Sequence, residues 1–77
     1  MKTLKDLSVG ESGVIAKVGT TGALKQRFMD MGITKGTEVT VEKIAPLGDP
    51  IEIVIRGYNL SIRKGDAEKI EMRKLGE

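Results

Sequence analysis

Apolar and polar residues alternate in three segments of the second half of the chain, and this pattern restricts the fold more than any other feature. Glu38–Glu42 alternates strictly, every second residue of Ile51–Arg56 is isoleucine, and Leu60–Arg63 alternates again. Successive side chains of a strand point to opposite faces, so each segment predicts a strand with one buried face. The short connection Gly57-Tyr58-Asn59 predicts a hairpin between the last two strands.

The first half of the chain adds another strand and a turn. Gly13–Val18 is rich in β-branched residues and predicts a strand. Gly19-Thr20-Thr21-Gly22 follows it. A Gly-x-x-Gly loop can cradle phosphate, but no Gly-Lys-Ser/Thr follows here, so we expect that these glycines serve only the steric needs of the turn.

The spacing of apolar residues then changes from a strand to a helix. Leu24, Phe28 and Met31 recur at i, i+4 and i+7, which predicts a short helix over Ala23–Met31. Gly32 is placed to end this helix in a left-handed C-cap, with the apolar residue that follows it folding back onto the helix.

The end of the chain predicts two further short elements and sets the fold class. Ala67–Lys69 is predicted to form a single helical turn, and Ile70–Met72 a last strand. Residues 1–72 are predicted to form one domain, which residues 73–77 follow as a charged tail. A sandwich needs more than 77 residues of this kind, whereas a small, strongly bent barrel closes its edges economically. The predicted class is mainly β with a short helical insertion, in a barrel of about five to six short strands.

Composition excludes several kinds of chemistry. The chain has no Cys and no His, which rules out disulfides, thiolate or imidazole metal sites, Ser-His-Asp triads and cysteine nucleophiles. Thirteen basic residues are interleaved with 11 acidic ones, and the net charge is +2. This charge does not indicate that the chain binds a nucleic acid. No apolar stretch has the length of a signal peptide core or a membrane span, so we expect a cytoplasmic protein.

Four blocks of residues agree in order and spacing with a known family. The blocks are Leu4-x-x-Leu7-x-x-Gly10 with Gly13; Leu24-x-x-x-Phe28-x-x-Met31-Gly32 followed by Gly36; Ala45-Pro46-Leu47-Gly48-Asp49-Pro50; and Gly57-Tyr58-x-Leu60-x-Ile62-Arg63 followed by Ala67-x-x-Ile70. They span roughly residues 4–72, and the chain resembles the small FeoA proteins of bacterial ferrous iron uptake. The family commonly has a second Leu where this chain carries Met29 or Met31.

The resemblance implies a small SH3-like barrel in the cytoplasm that has no cofactor and no catalytic role. It implies that the chain works with FeoB, the membrane transporter that carries a cytosolic GTPase domain, without inserting into the membrane itself. The oligomeric state is left open by the resemblance.

Two alternative functions remain open at this stage. A small nucleic-acid-binding barrel needs stacking aromatics or a basic stripe, and the aromatic residues here are only Phe28 and Tyr58. A weak transition-metal site would have to use carboxylates, and the candidates in loops or at strand ends are Asp49, Glu52 and Asp66. An enzyme is disfavoured, because no two carboxylates are predicted to pair in an apolar cleft.

A protein-binding surface between the helix and the Pro-rich loop is the favoured interpretation. The predicted partner-binding residues are Leu24, Met29, Pro46, Leu47 and Tyr58. Met29 falls off the apolar helix stripe, beside Lys25 on the exposed side. Leu24 and Tyr58 have a competing interpretation as residues that cap the core.

Two arginines are candidates for contact with a GTPase. An arginine finger supplied in trans stabilises the transition state of GTP hydrolysis. Arg27 on the predicted helix and Arg56 near the predicted hairpin are placed where such a finger could be offered.

Overall fold

The computed structural model describes residues 2–75, which form a single antiparallel sheet with two helices and a 3₁₀ turn. In chain order the elements are β1 (Lys2–Thr3), a 3₁₀ helix (Leu4–Asp6), β2 (Ser12–Val18), α1 (Gly22–Asp30), β3 (Glu38–Ile44), β4 (Ile51–Ile55), β5 (Tyr58–Ile62), α2 (Lys64–Ala67) and β6 (Ile70–Lys74). None of the helices in this part of the chain is both long and apolar enough to cross a bilayer. The prediction of a mainly β fold with one short inserted helix is confirmed.

The six strands lie in the order β1-β6-β2-β3-β4-β5, so the last strand of the chain, β6, lies between the first two strands. The register shifts by one residue at Ala16 in β2 and at Glu42 in β3. Such bulges bend and twist a sheet. The hydrogen-bonded ladder nevertheless stays open within residues 2–75, with β1 and β5 as its edges, so the expected closure of the barrel edges is wrong. The short β1 gives way at once to the 3₁₀ helix and offers β5 no partner.

The core sits on the concave side of this bent sheet. The alternation in the second half of the chain predicted which side chains are buried, and the structure confirms it for Val39, Val41 and the isoleucines of β4. Phe28 of α1 enters the same cluster with 2% of its surface exposed. Each such side chain contributes about 1.5 to 3 kcal/mol through burial, so this cluster holds the helix on the sheet.

The C-terminal end of α1 has the predicted left-handed cap. Gly32 adopts φ of 87°, and its N–H donates to the Met29 carbonyl at 3.0 Å. The N–H of Ile33 reaches the Phe28 carbonyl at 2.8 Å, and the Ile33 side chain is fully buried. This pair of bonds is a Schellman motif, in which the residue after the glycine packs back on the helix.

The β4–β5 hairpin turns one residue earlier than predicted. Arg56 and Gly57 form the turn with φ of 51° and 84°, while Tyr58 and Asn59 already pair with β4. A two-residue turn of this primed type needs positive φ at both positions. Arginine seldom adopts that conformation, and the sequence therefore predicted the connection at Gly57-Tyr58-Asn59 instead.

Several other boundaries differ from the prediction. β6 continues to Lys74, because the backbone beyond Met72 pairs with Gly13 and Val14 of β2. Residues 73 and 74, which were expected to belong to a charged tail, therefore lie in β6, and residues 76–77 of that expected tail lie outside the described part. α2 precedes the predicted helical turn, since the Arg63 carbonyl accepts N–H bonds from Asp66 and Ala67.

The glycine loop after β2 has the steric role that was expected. The Gly19 N–H donates to the Lys69 carbonyl at 2.6 Å, which leaves that amide engaged within the fold. A Cβ on Gly19 would lie 3.1 Å from the same carbonyl oxygen. The close approach of two backbone segments, rather than a phosphate, accounts for this glycine.

Two carboxylates hold the N-terminal segment in place. Asp6 accepts hydrogen bonds from the Thr3 N–H at 3.0 Å and the Thr3 hydroxyl at 3.2 Å, and these bonds lower the pKa of Asp6. Glu11 accepts from the Ser8 N–H at 2.9 Å and from Lys2 at 3.3 Å, and its pKa is lowered for these reasons. Both groups accept these hydrogen bonds more strongly when they are ionised.

We expect acid to destabilise the fold partly through these two carboxylates. A group whose pKa is depressed on folding adds stability above its unfolded pKa and loses that contribution as the pH falls through the folded value. Urea unfolding from about pH 7 down to about pH 2 should therefore show a decline in the midpoint below about pH 4.5. The variant Asp6→Asn with Glu11→Gln should flatten that decline, and an unchanged pH dependence in this variant would contradict the assignment.

Candidate interaction surface

A groove lies between the exposed side of α1 and strand β2. It has a volume of about 470 Å³, within the range of small binding pockets. Its apolar floor is formed by Ala16, Val18, Met29 and Ile33. Ile33 is fully buried, Ala16 and Val18 are half-buried, and Met29 is 49% exposed. The groove thus presents apolar surface at its base, including the accessible thioether of Met29.

Three lysines and Thr34 complete the lining of the groove. Lys17, Lys25 and Lys35 are all exposed, and no carboxylate contributes to the lining. Across the described residues 2–75, none of these ammonium groups makes a hydrogen bond or an ion pair. Glu71 lies opposite Lys17 in the β2–β6 register without forming an ion pair with it. We call this site, formed by four apolar residues, three lysines and Thr34, the basic groove.

The β2 side of the basic groove is shaped by a bulge. Ala16 is the extra residue between the paired positions Ile15 and Lys17. Ile15 points into the core, whereas Lys17 is exposed and Val18 is half-buried. A bulge re-aims the side chains that follow it, so the strand departs from simple alternation where it meets the groove.

The loop after α1 forms the third side of the basic groove and is tied to β2. The Gly36 N–H donates to the Ile15 carbonyl at 2.8 Å, and the Ile15 N–H donates to the Thr37 carbonyl at 2.9 Å. On the helix, Lys25 and Met29 are four residues apart and therefore share one face. The groove is thus bounded by elements that the fold fixes on each side.

Arg56 and Tyr58 clamp the end of α1 rather than standing free. The Tyr58 hydroxyl donates to the Met31 carbonyl, one of the helix C-terminal carbonyls that have no partner within the helix. The Arg56 guanidinium donates to the hydroxyls of Thr34 and Thr37 at 3.3 and 3.2 Å. The Tyr58 side chain, 45% exposed, keeps part of its surface accessible.

Gly32 is required beneath this clamp. A Cβ at Gly32 would lie 3.2 Å from the Arg56 Cδ and 3.3 Å from the Tyr58 hydroxyl, in addition to the strain of a positive φ. The cap glycine therefore serves the helix end and the clamp together.

The remaining predicted contact residues occupy different environments. Leu24 is half-buried and packs against the core cluster, which agrees with its interpretation as a core cap. Pro46 and Leu47 lie in the β3–β4 loop, where Leu47 is 92% exposed. That loop joins β4 at Ile51, and Tyr58 pairs with the opposite end of β4, about 13 Å away along the strand. The structure therefore does not bring Pro46 and Leu47 beside Tyr58, contrary to the expectation from the sequence.

The charged candidates are also separated by the fold. Arg27 is exposed on α1 and has no partner within residues 2–75, whereas Arg56 is engaged in the clamp. Asp49 accepts the Lys64 N–H at 2.9 Å, which occupies one of its carboxylate oxygens. Asp49, Glu52 and Asp66 are not brought together, and no group of three potential ligands capable of holding a metal occurs in the described part of the chain.

Comparison with known proteins identifies the family. The model of the FeoA domain matches residues 2–74. This chain belongs to the FeoA domain family. The fusion protein of Fe(2+) transport protein A and the Fe(2+) transporter FeoB from Porphyromonas gingivalis is 41% identical over 69 residues. The match covers 90% of this chain and 8% of that protein, so the chain corresponds to a small part of its relative.

Solved FeoA structures have the same fold. The FeoA protein of Chlorobium tepidum, 35% identical, superposes with a TM-score of 0.89 over 97% of this chain and 71% of its own length. Stenotrophomonas maltophilia FeoA complexed with zinc, a prokaryotic SH3 domain protein, is 23% identical and covers 95% of this chain and 91% of its own, with a TM-score of 0.82. The open six-stranded sheet is therefore an SH3-like fold.

Sequence reasoning missed two of the three lysines of the basic groove, Lys17 and Lys35. It recognised Met29 and Lys25 on one exposed helix face, but Lys17 and Lys35 come from a strand and a loop that pair only in the folded chain. The bulge at Ala16 gave no signal, because Val14-Ile15-Ala16 looks like an ordinary apolar run. The short-range pairing of Lys25 with Met29 was the one available indication.

We expect Tyr58→Phe to destabilise the fold by about 0.5 to 1 kcal/mol, because it removes the hydroxyl donor to the Met31 carbonyl and keeps the ring. Urea unfolding measures the difference. Gly32→Ala should cost more than Tyr58→Phe, since it adds both strain and contact with the clamp. Equal stability of the wild type and Tyr58→Phe would show that water replaces this hydrogen bond without loss.

Proposed function

We propose that this chain is a non-catalytic accessory module of bacterial ferrous iron uptake that binds the FeoB transporter through its cytosolic GTPase domain. The observation that carries the proposal is the Porphyromonas gingivalis relative, in which an Fe(2+) transport protein A and FeoB are parts of one fusion protein. Covalent linkage keeps two modules at a high effective concentration, which is useful for modules that act on each other. The proposed site of action is the cytoplasm, where that domain lies.

The exposed apolar side chains support binding rather than chemistry as the proposed role. Met29, Leu47 and Tyr58 are 49%, 92% and 45% exposed. The two carboxylates with a lowered pKa, Asp6 and Glu11, are engaged with backbone N–H groups of the N-terminal segment. Apolar residues that stay accessible on a small domain are typical of contact surfaces.

We propose two contact regions rather than one continuous surface. The first is the exposed side of α1 around Met29, together with Tyr58 at the helix end and the part of the half-buried Leu24 that stays accessible. The second is the loop tip that carries Pro46 and Leu47. A partner as large as a GTPase domain has the surface to meet both regions, because standard interfaces bury about 800 Å² on each side.

An amide NMR titration of the labelled chain with the isolated FeoB GTPase domain tests the proposed function. Shifts confined to residues 24–31 and 46–58 are expected. Their absence at high partner concentration, with the chain still folded, would contradict binding to that domain.

We expect Met29→Asp to weaken binding to the GTPase domain by about tenfold, because it places a charge at an apolar contact. Leu47→Asp tests the second region separately, and the double variant should bind more weakly than either single variant. Val9→Asp is the matched control, since Val9 is 59% exposed and lies outside both regions. Titration calorimetry measures all four variants, and equal losses for Val9→Asp and Met29→Asp would refute the first region.

Arg27 is the better of the two arginines for contact with the reacting nucleotide. The Arg56 guanidinium already binds Thr34 and Thr37, so offering it to a partner would break the clamp on α1. Arg27 is exposed on the helix, and its surroundings place no such demand on it.

If this chain accelerates GTP hydrolysis, Arg27→Ala should remove most of the acceleration, because a finger supplies transition-state charge that no neutral side chain replaces. Phosphate release from the GTPase domain, with and without the chain, measures the effect. Arg63→Ala is the control, as Arg63 is exposed and precedes α2. Binding with no change in hydrolysis would favour a scaffolding role, and full acceleration by Arg27→Ala would exclude the finger.

A further inference from the structure

The basic groove combines two chemical features that point to one kind of ligand. Its base offers the apolar side chains of Val18 and Met29, and its lining carries three ammonium groups. Those ammonium groups have no counter-ion among residues 2–75. The chain's net charge is only +2, so this local excess of positive charge is not a general property of its surface.

We propose that the basic groove binds an acidic segment of a protein partner, in which an apolar side chain enters the groove and flanking Asp or Glu residues meet the lysines. The inference deepens the proposed function and rests on it in one respect, namely that the chain acts by binding a protein. Opposite charges on the two sides of a contact steer association and select the partner.

The shape and the lining favour a peptide segment over other anions. No aromatic side chain lines the groove, whereas single-stranded nucleic acids are held by stacking as well as by charge. The groove is concave with an apolar base, so it suits a protruding side chain better than the flat surface of a membrane. A free phosphate would leave the apolar base unused.

Three separate elements fix the lysines around the groove. Lys25 comes from α1, Lys35 from the loop after it, and Lys17 from the strand that the bulge at Ala16 re-aims. Lys17 faces Glu71 across the strands, whereas Lys25 and Lys35 lie outside the sheet and have no acidic residue paired with them across a strand. These two residues are therefore the most informative to change.

Three short synthetic peptides, about ten residues long, are the probes for the first experiment. One carries a Leu flanked on both sides by Glu, the second has Gln in place of every Glu, and the third has Ser in place of the Leu. Amide shifts of the labelled full chain are followed at about 20 mM and about 300 mM salt, since salt screens charge pairs at the surface.

The Leu-Glu peptide should shift amides at residues 16–18, 25–29 and 33–35, with weaker binding at the higher salt concentration. The Gln and Ser peptides should each bind several-fold more weakly. Equal binding of the Gln peptide, or shifts located elsewhere, would overturn the proposal. Anionic vesicles of phosphatidylglycerol are titrated in parallel, and shifts of the same residues by vesicles but not by the peptide would replace the peptide by a membrane surface.

A charge-reversal pair gives the second experiment. Lys25→Glu with Lys35→Glu should weaken binding of the Leu-Glu peptide by about tenfold or more. The matched control is Arg63→Glu with Lys69→Glu, at exposed positions on either side of α2. Both double variants lower the net charge from +2 to −2, so a difference between them reflects place and not total charge. Equal losses in the two variants would overturn the proposal.

The same variants separate this inference from the proposed function. If the FeoB GTPase domain binds the wild type and the Lys25→Glu, Lys35→Glu variant equally well, the function stands and the groove is not its contact. If the peptide binds the groove while the GTPase domain does not bind the chain, the groove inference stands and FeoB is not the partner.

Discussion

Helix α1 is held on the sheet by the burial of Phe28 and by the turn at its C-terminal end, and the basic groove depends on this attachment. Gly32 reverses the chain at a positive φ, and Ile33 then enters the core. The Tyr58 hydroxyl closes the end of the helix from β5, and Arg56 reaches the loop that follows. If this turn opened, the basic groove would lose one wall and part of its base, because both the helix and the loop after it line the groove.

The core and the surface of this fold have different roles. The concave side of the sheet is filled by aliphatic side chains, and the described residues contain no buried polar or charged side chain. Stability therefore comes from burial in the core, while the charged side chains stay at the surface. Lysines left without partners are compatible with stability because surface ion pairs contribute only about 0 to 1 kcal/mol. Their placement can therefore serve recognition at little cost to the fold.

The sequence predicted the parts of the structure that depend on local spacing. The alternation in Glu38–Glu42 and the helical spacing of Leu24 and Phe28 each report a buried face directly, and both predictions are confirmed. The Arg56-Gly57 turn was not predicted, because arginine rarely adopts the positive φ that this two-residue turn requires. The basic groove was not predicted either, because the periodicity of a sequence does not show which distant segments pair. Resemblance to the FeoA family added what spacing alone could not, namely the expectation of a partner.

The pairing of β6 with β1 has a consequence for how this domain can be connected to other chains. Lys2 lies opposite Met72, and β6 runs on to Lys74 beside β2, so the first and last strands lie next to each other in the sheet. A domain whose first and last strands are adjacent is suited to insertion into a loop of a host protein, or to circular permutation through a short linker. The basic groove is lined by α1, β2 and the loop after α1, none of which would have to be cut. A permuted chain opened in the exposed β3–β4 loop would keep every residue of the groove in one continuous segment.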